Sequence, residues 1–168
     1  AAAQARGVDI IAETCTHYLV FTDKMLSRDD GLKWICSPPI RDQKNQDRLW
    51  AALRDGRVAM ITSDDAAYSW EAKLYGLNRF DRVPNGLAGI ETRLNLVYSE
   101  GVHKERISLP RFVQVVATTP ALLFGLYPRK GCLLPGADAD IVLLDPGARW
   151  IMGQETLHMA TEYSAYEG

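Results

Sequence analysis

The chain has 168 residues, 47% of them hydrophobic and 24% charged, with a formal net charge of −2. That is ordinary globular composition with apolar mass enough for a core, and it offers no basic surface for nucleic acid or for an anionic membrane. No run approaches the roughly 18 consecutive apolar residues of a membrane span. Three widely spaced cysteines (Cys15, Cys36 and Cys132) without a CxxC pair favour a reducing, cytoplasmic setting over a disulfide framework.

Residues 1–6 are helix-compatible, and Gly7 stops them before an apolar run over 8–12 that reads as a strand. This strand ends on the polar series Glu13-Thr14-Cys15-Thr16-His17-Tyr18. Residues 23–33 form a charged loop or short helix, and Pro38-Pro39 forbids helix over 34–41, leaving a rigid extended loop. Leu49, Trp50 and Leu53 fall at helical spacing within 42–55, with Gly56 as the stop. A second short apolar strand follows and ends abruptly at Asp64-Asp65. Helix and strand thus alternate over 1–64, the pattern of a parallel sheet.

Residues 65–90 show no periodicity; Gly76, Gly89 and the turn Pro84-Asn85-Gly86 mark a long excursion of a kind that is usually functional. Leu94, Val97 and Tyr98 share a helical face within 90–101. Ser108 reads as the N-cap of a helix through 116, and Thr119-Pro120 as the start of another through 124. Beyond Gly125, the stretch 130–145 is a turn followed by a strand with no helical crossover, which predicts a small β domain. The expected division is therefore a βα part, 1–125, and a β part, 126–168. A start inside what reads as a helix tail, with no initiator Met, gives the expectation of an interior piece of a longer protein.

A short apolar strand of this kind is buried on both faces, and in barrels of parallel strands chemistry sits at the carboxyl ends. Asp64 lies at such an end, as a metal ligand, as a base for a water, or as a cap for the segment that follows. Asp65 points to the other side of the strand and reads as a loop or supporting residue. Asn85, between Pro84 and Gly86, has the composition of an Asx turn. His17, His103 and His158 lack metal-ligand spacing; His17 follows a strand end and either borders the site or, the favoured reading, is a surface or loop histidine. Cys15 and Cys36 have no neighbouring base, and the tryptophans read as core or subunit-contact residues.

Six motifs in order carry a resemblance. They are Glu13-Thr14-Cys15-Thr16-His17-Tyr18-Leu19, Cys36-Ser37-Pro38-Pro39-Ile40-Arg41, Thr62-Ser63-Asp64, Pro84-Asn85-Gly86, Arg129-Lys130-Gly131, and Gly136-Ala137-Asp138-Ala139-Asp140-Ile141-Val142. Together they resemble the carboxyl-terminal half of the hydantoinases and dihydropyrimidinases, cyclic amidohydrolases of the metal-dependent amidohydrolase superfamily, over essentially the whole chain. The resemblance implies an α/β fold: the C-terminal part of a (β/α)8 TIM-type barrel over 1–125, contributing the last two strands, plus part of a small β-sandwich over 126–168. It implies hydrolytic opening of a hydantoin or dihydropyrimidine ring by two zinc ions bridged by a carboxylated lysine, the lysine and the histidine ligands lying upstream of Ala1.

Within that family Asp64 matches the aspartate that binds one metal and takes the proton of the water. Ser37 and Asn85 match residues that contact the amide edge of the ring. The resemblance further implies a small cyclic amide or imide as partner, no nucleic acid or membrane, and a homo-oligomer, tetramer or dimer. Where the family commonly has histidine and Cys-Pro after the aspartate, this chain has Asp65-Ala66-Ala67-Tyr68. Allantoinases share the barrel and metal centre, and dihydropyrimidinase-like scaffold proteins of the nervous system share the resemblance without catalysis; retention of Asp64 favours the enzymes.

Overall fold

A computed structural model describes residues 2–168; Ala1, the first residue of the expected opening helix, lies outside them. After α1 (Ala2–Ala5), two short strands, β1 (Glu13–Cys15) and β2 (Met60–Thr62), pair in parallel. Glu13 stands opposite Met60 and Cys15 opposite Thr62, and the Ala59 amide extends the ladder to the Ala12 carbonyl at 2.8 Å. The connection between the strands carries α2 (Thr16–Val20), two 3₁₀ turns (Asp23–Ser27 and Gly31–Trp34) and α3 (Gln43–Arg54). Parallel pairing needs such a crossover.

α3 forms where the spacing of Leu49, Trp50 and Leu53 places it. Its N-cap, Asp42, accepts from the Asn45 amide, and Gly56 ends it at a φ of +81°, which a side chain would resist. Trp50 and Leu53 pack with Leu19, Val58, Ile61, Val97, Ile107, Phe112 and Val115 as the main core. Two arginines tie this core to neighbouring backbone carbonyls. Arg111 donates to the Leu53 and Val58 carbonyls at 2.7 and 2.8 Å, and Arg93 donates to the Ile61 carbonyl at 3.1 Å.

The excursion after β2 is more ordered than its sequence suggests. It holds α4 (Trp70–Leu74), capped by Ser69, and a 3₁₀ turn at Phe80–Arg82. α5 (Arg93–Val97) runs on into a π turn at Tyr98–His103. Ser108 caps α6 (Leu109–Val113) as expected, but the two separate helices expected over 108–124 are one run. A π turn at Gln114–Thr118 joins α6 to α7 (Thr119–Leu123), and Pro120 sits in the opening turn of α7, where the wide turn absorbs its missing amide.

Two expectations are corrected. The strand expected over 8–12 starts only at Glu13, and Val8, Ile10 and Ile11 stand half exposed, because β1 has a neighbour on one edge alone. Over 126–168 no strand forms among the described residues, and Val142 and Leu143 are 72% and 94% exposed. A strand needs a hydrogen-bonded partner, and none pairs with this segment among the described residues. The tail returns instead to the βα part: Tyr166 is buried and stacks on Phe21 at 4.8 Å, and the Glu162 carboxylate accepts from the Trp70 amide at 2.6 Å.

Leu53 is fully buried at the centre of the core. Leu53→Ala is expected to lower the unfolding free energy by about 2–5 kcal/mol, read from the midpoint of a urea titration.

Candidate functional site

Parallel pairing sets the carboxyl ends of β1 and β2 side by side, so His17 and Asp64 each follow the last paired residues, Cys15 and Thr62, by the same short step. Asp64 has a φ of +47°, a left-handed conformation that aspartate tolerates better than most residues and that turns the chain sharply out of the strand. Its carboxylate stands at the exposed rim. Donor atoms of Cys15, His17 and Asp64 all lie within 4.8 Å of one another.

His17 is 1% exposed, and neither ring nitrogen has a hydrogen-bond partner. Burial pushes its imidazole down to about 4, against a smaller upward pull from Asp64, so the ring is neutral near pH 7 and one nitrogen carries a free lone pair. Burial also raises the Cys15 thiol, partly offset by its contact with the Thr62 hydroxyl at 3.5 Å. An unsatisfied buried imidazole beside a carboxylate and a thiol is a donor set that a zinc-like divalent ion accepts.

The surface or loop reading of His17 is therefore corrected. α2 begins directly at the end of β1, so its first turn, including Thr16 and His17, is tucked beneath the sheet rim. The same strand-end argument that singles out Asp64 applies to His17 and finds it. H-x-H spacing is silent on this cluster, because its members sit at and just beyond the ends of two different strands.

Asp65 faces away from Asp64 and holds a loop. Its Oδ1 accepts from the Gly89 and Ile90 amides at 2.6 and 3.0 Å, and its backbone bridges to Leu87. Ser37 and Asn85 are both exposed and line one cleft of about 600 Å³, with Trp34, Leu77 and Phe80 among its apolar walls. Asp64 is not among the residues lining it. The two loops touch directly, since the Gly86 amide donates to the Ile35 carbonyl at 3.0 Å. Gly86 has a φ of +151°, and a Cβ there would meet the Ala66 carbonyl oxygen at 2.6 Å, so no larger residue fits. The Tyr18 hydroxyl braces the other loop by donating to the Pro38 carbonyl at 2.8 Å.

Lys73, on α4, has no counterpart among the residues singled out from the sequence. It is fully buried, and its Nζ donates to the carbonyls of Ile35, Pro84 and Gly86 at 3.1, 2.7 and 2.8 Å. Burial pushes its ammonium down to about 8. Nothing in the pattern of a short polar helix separates this lysine from a solvated one.

A carboxylate, an imidazole and a thiol thus meet at the rim of a parallel sheet, a donor set of the kind that metal-dependent hydrolases use. The chain belongs to the amidohydrolase family, which it matches over residues 2–166. It is 47% identical to a D-hydantoinase of Ralstonia pickettii and 48% identical to one of Rhizobium radiobacter, each over 99% of this chain. A solved structure of dihydropyrimidinase from Brevibacillus agri NCHU1002 superposes with a TM-score of 0.95 at 40% identity, again over 99% of this chain. The chain spans 37% of the length of each of these relatives, and its architecture is accordingly part of a TIM-barrel-type amidohydrolase domain.

Asp65→Ala removes the acceptor of two loop amides. It is expected to cost about 1–3 kcal/mol of stability and to speed hydrogen exchange at Gly89 and Ile90, while leaving the Cys15, His17 and Asp64 cluster in place.

Proposed function

We propose that the whole protein hydrolyses the ring amide bond of a small cyclic amide or imide, a hydantoin or a dihydropyrimidine, and that this chain supplies the carboxyl-terminal part of its catalytic domain. The observation that carries the reading is Asp64, held at the carboxyl end of β2 in a left-handed conformation within 4.8 Å of an unpartnered buried imidazole. In this reading 1–125 belongs to the barrel, and 126–168 contributes to a β-sandwich whose partner strands come from elsewhere in the protein.

Asp64 would hold a zinc ion, with His17 and Cys15 the further donors that this chain brings within reach. The other ligands, a carboxylated lysine among them, would belong to the part of the relatives that this sequence does not span. Bound zinc supplies a water acidic enough to attack near neutral pH. The Asp64 carboxylate, at the strand end, would accept the proton of such a water and return it to the ring nitrogen as the C–N bond breaks. Ser37 and Asn85, sharing one cleft, meet the alternating C=O and N–H edge of the ring and fix its orientation.

The chain's similarity to D-hydantoinases favours hydantoins over allantoin, and a non-catalytic scaffold has no use for Asp64 in this setting. A homo-oligomer, dimer or tetramer, working in a reducing cytoplasm is part of the same proposal.

Asp64→Asn keeps the side-chain shape and tolerates the left-handed backbone. In the full-length protein it is expected to lower turnover of hydantoin or dihydrouracil by about 10²–10⁴-fold and to reduce bound zinc by elemental analysis. Normal turnover together with normal metal content in this variant contradicts the assignment.

A further inference from the structure

Lys73 has a placement that the hydrolytic reading leaves unused. A fully buried ammonium is costly unless every N–H is satisfied, and here all three are met by backbone carbonyls rather than by a carboxylate. The three carbonyls come from the two loops that carry Ser37 and Asn85. Ile35 lies just ahead of Ser37, and Pro84 and Gly86 flank Asn85 on either side. The Ile35 carbonyl also accepts from the Gly86 amide, so the loops and the lysine close one hydrogen-bonded knot.

The ammonium has the geometry for this task. It presents three donors from one point, which lets carbonyls from separate segments converge on it; a serine or glutamine cannot do so from the same spot. α4 anchors the lysine from outside the cleft, with its N-terminus capped by Ser69 and its first amide held by Glu162 of the returning tail. The Tyr68 ring lies 5.7 Å from Nζ and adds a cation–π contact. The hydrogen-bond partners of the Lys73 ammonium are backbone carbonyls and not the side chains of Ser37 or Asn85, so it acts on substrate through the loops.

We propose that Lys73 is a positioning residue for substrate binding, its ammonium fixing the Ser37 loop and the Asn85 loop in the relative placement that lets both grip one edge of a cyclic substrate. This rests on the reading of Ser37 and Asn85 as substrate contacts and adds the element that makes them a pair. Such a residue tightens ground-state and transition-state binding alike, so its loss appears in KM and spares kcat.

The test uses the full-length protein, zinc-loaded, with hydantoin and dihydrouracil as substrates. Lys73→Met, with no donors, is expected to raise KM about tenfold or more, with kcat and metal content within about twofold of the unaltered protein. Lys73→Gln, with two donors, is expected to raise KM by about threefold. In an Asn85→Ala background the effect of Lys73→Gln on KM shrinks to less than about twofold, because the group it positions is gone. Should Lys73→Met fail to fold, Lys73→Gln carries the decision.

Folded variants with unchanged KM overturn the proposal, as does full additivity with Asn85→Ala; loss of folding in both variants assigns Lys73 to stability alone and overturns it too. Absence of any hydrolysis by the unaltered protein removes the functional reading and this inference with it. Hydrolysis with unchanged KM in the variants removes the inference alone.

Discussion

The register of one parallel strand pair governs the site. With Cys15 opposite Thr62, the residues two steps beyond each, His17 and Asp64, emerge at the same level of the sheet rim. A slip of one residue in either strand would exchange inward and outward side chains and separate the two donors. The pair is short, so hydrogen bonds along it cannot fix its register unaided. The register is held from the sides, by Ile61 locked against Leu53 and Val115 in the core and by Arg93 and Arg111 occupying the carbonyls at and just before β2. Packing on helices remote from the rim is what places the donors.

The adjacent carboxylates at the end of β2 show how one strand end serves two tasks. Alternation along an extended chain sends consecutive side chains to opposite sides, and the left-handed turn at Asp64 sharpens the divergence. Asp64 faces the imidazole and thiol, and Asp65 reaches back to the amides of the 84–90 loop. That loop is held again by Lys73 at Pro84 and Gly86, on either side of Asn85. The donor cluster and the loop that carries Asn85 are thus anchored from adjacent residues of one strand end.

What was legible in the sequence was whatever depends on local pattern. The helix over 42–55 announced itself by spacing and by the Asp42 and Gly56 boundaries, and Ser108 by its capping chemistry. Asp64 stood out because an apolar run stops on it. The features that escaped depend on pairs of segments distant in the chain. His17 has no local sign of burial, because what covers it arrives from another element. Lys73 looks like any lysine on a short polar helix until Ile35, Pro84 and Gly86 are brought around it. The strand expected over 8–12 and the β segment after residue 125 failed for the converse reason: their residues prefer strand, but pairing is a property of two segments.

That converse also explains the exposed apolar surface. Val8, Ile10 and Ile11 lead into β1, and Ile141, Val142 and Leu143 form an exposed apolar run without a strand partner among the described residues, yet all are of the β-branched or aliphatic kind that strands bury. A contiguous apolar face of this sort marks a surface meant to be covered. The chain spans 37% of the length of its hydantoinase relatives, and under the proposed function the remaining barrel and sandwich strands lie on these two faces. The donor cluster then becomes the inner wall of a closed barrel mouth, where exclusion of water strengthens each electrostatic contact that Asp64 and His17 make. The rim residues are already in place in this chain, held by its own core; closure would change the dielectric around them more than their geometry.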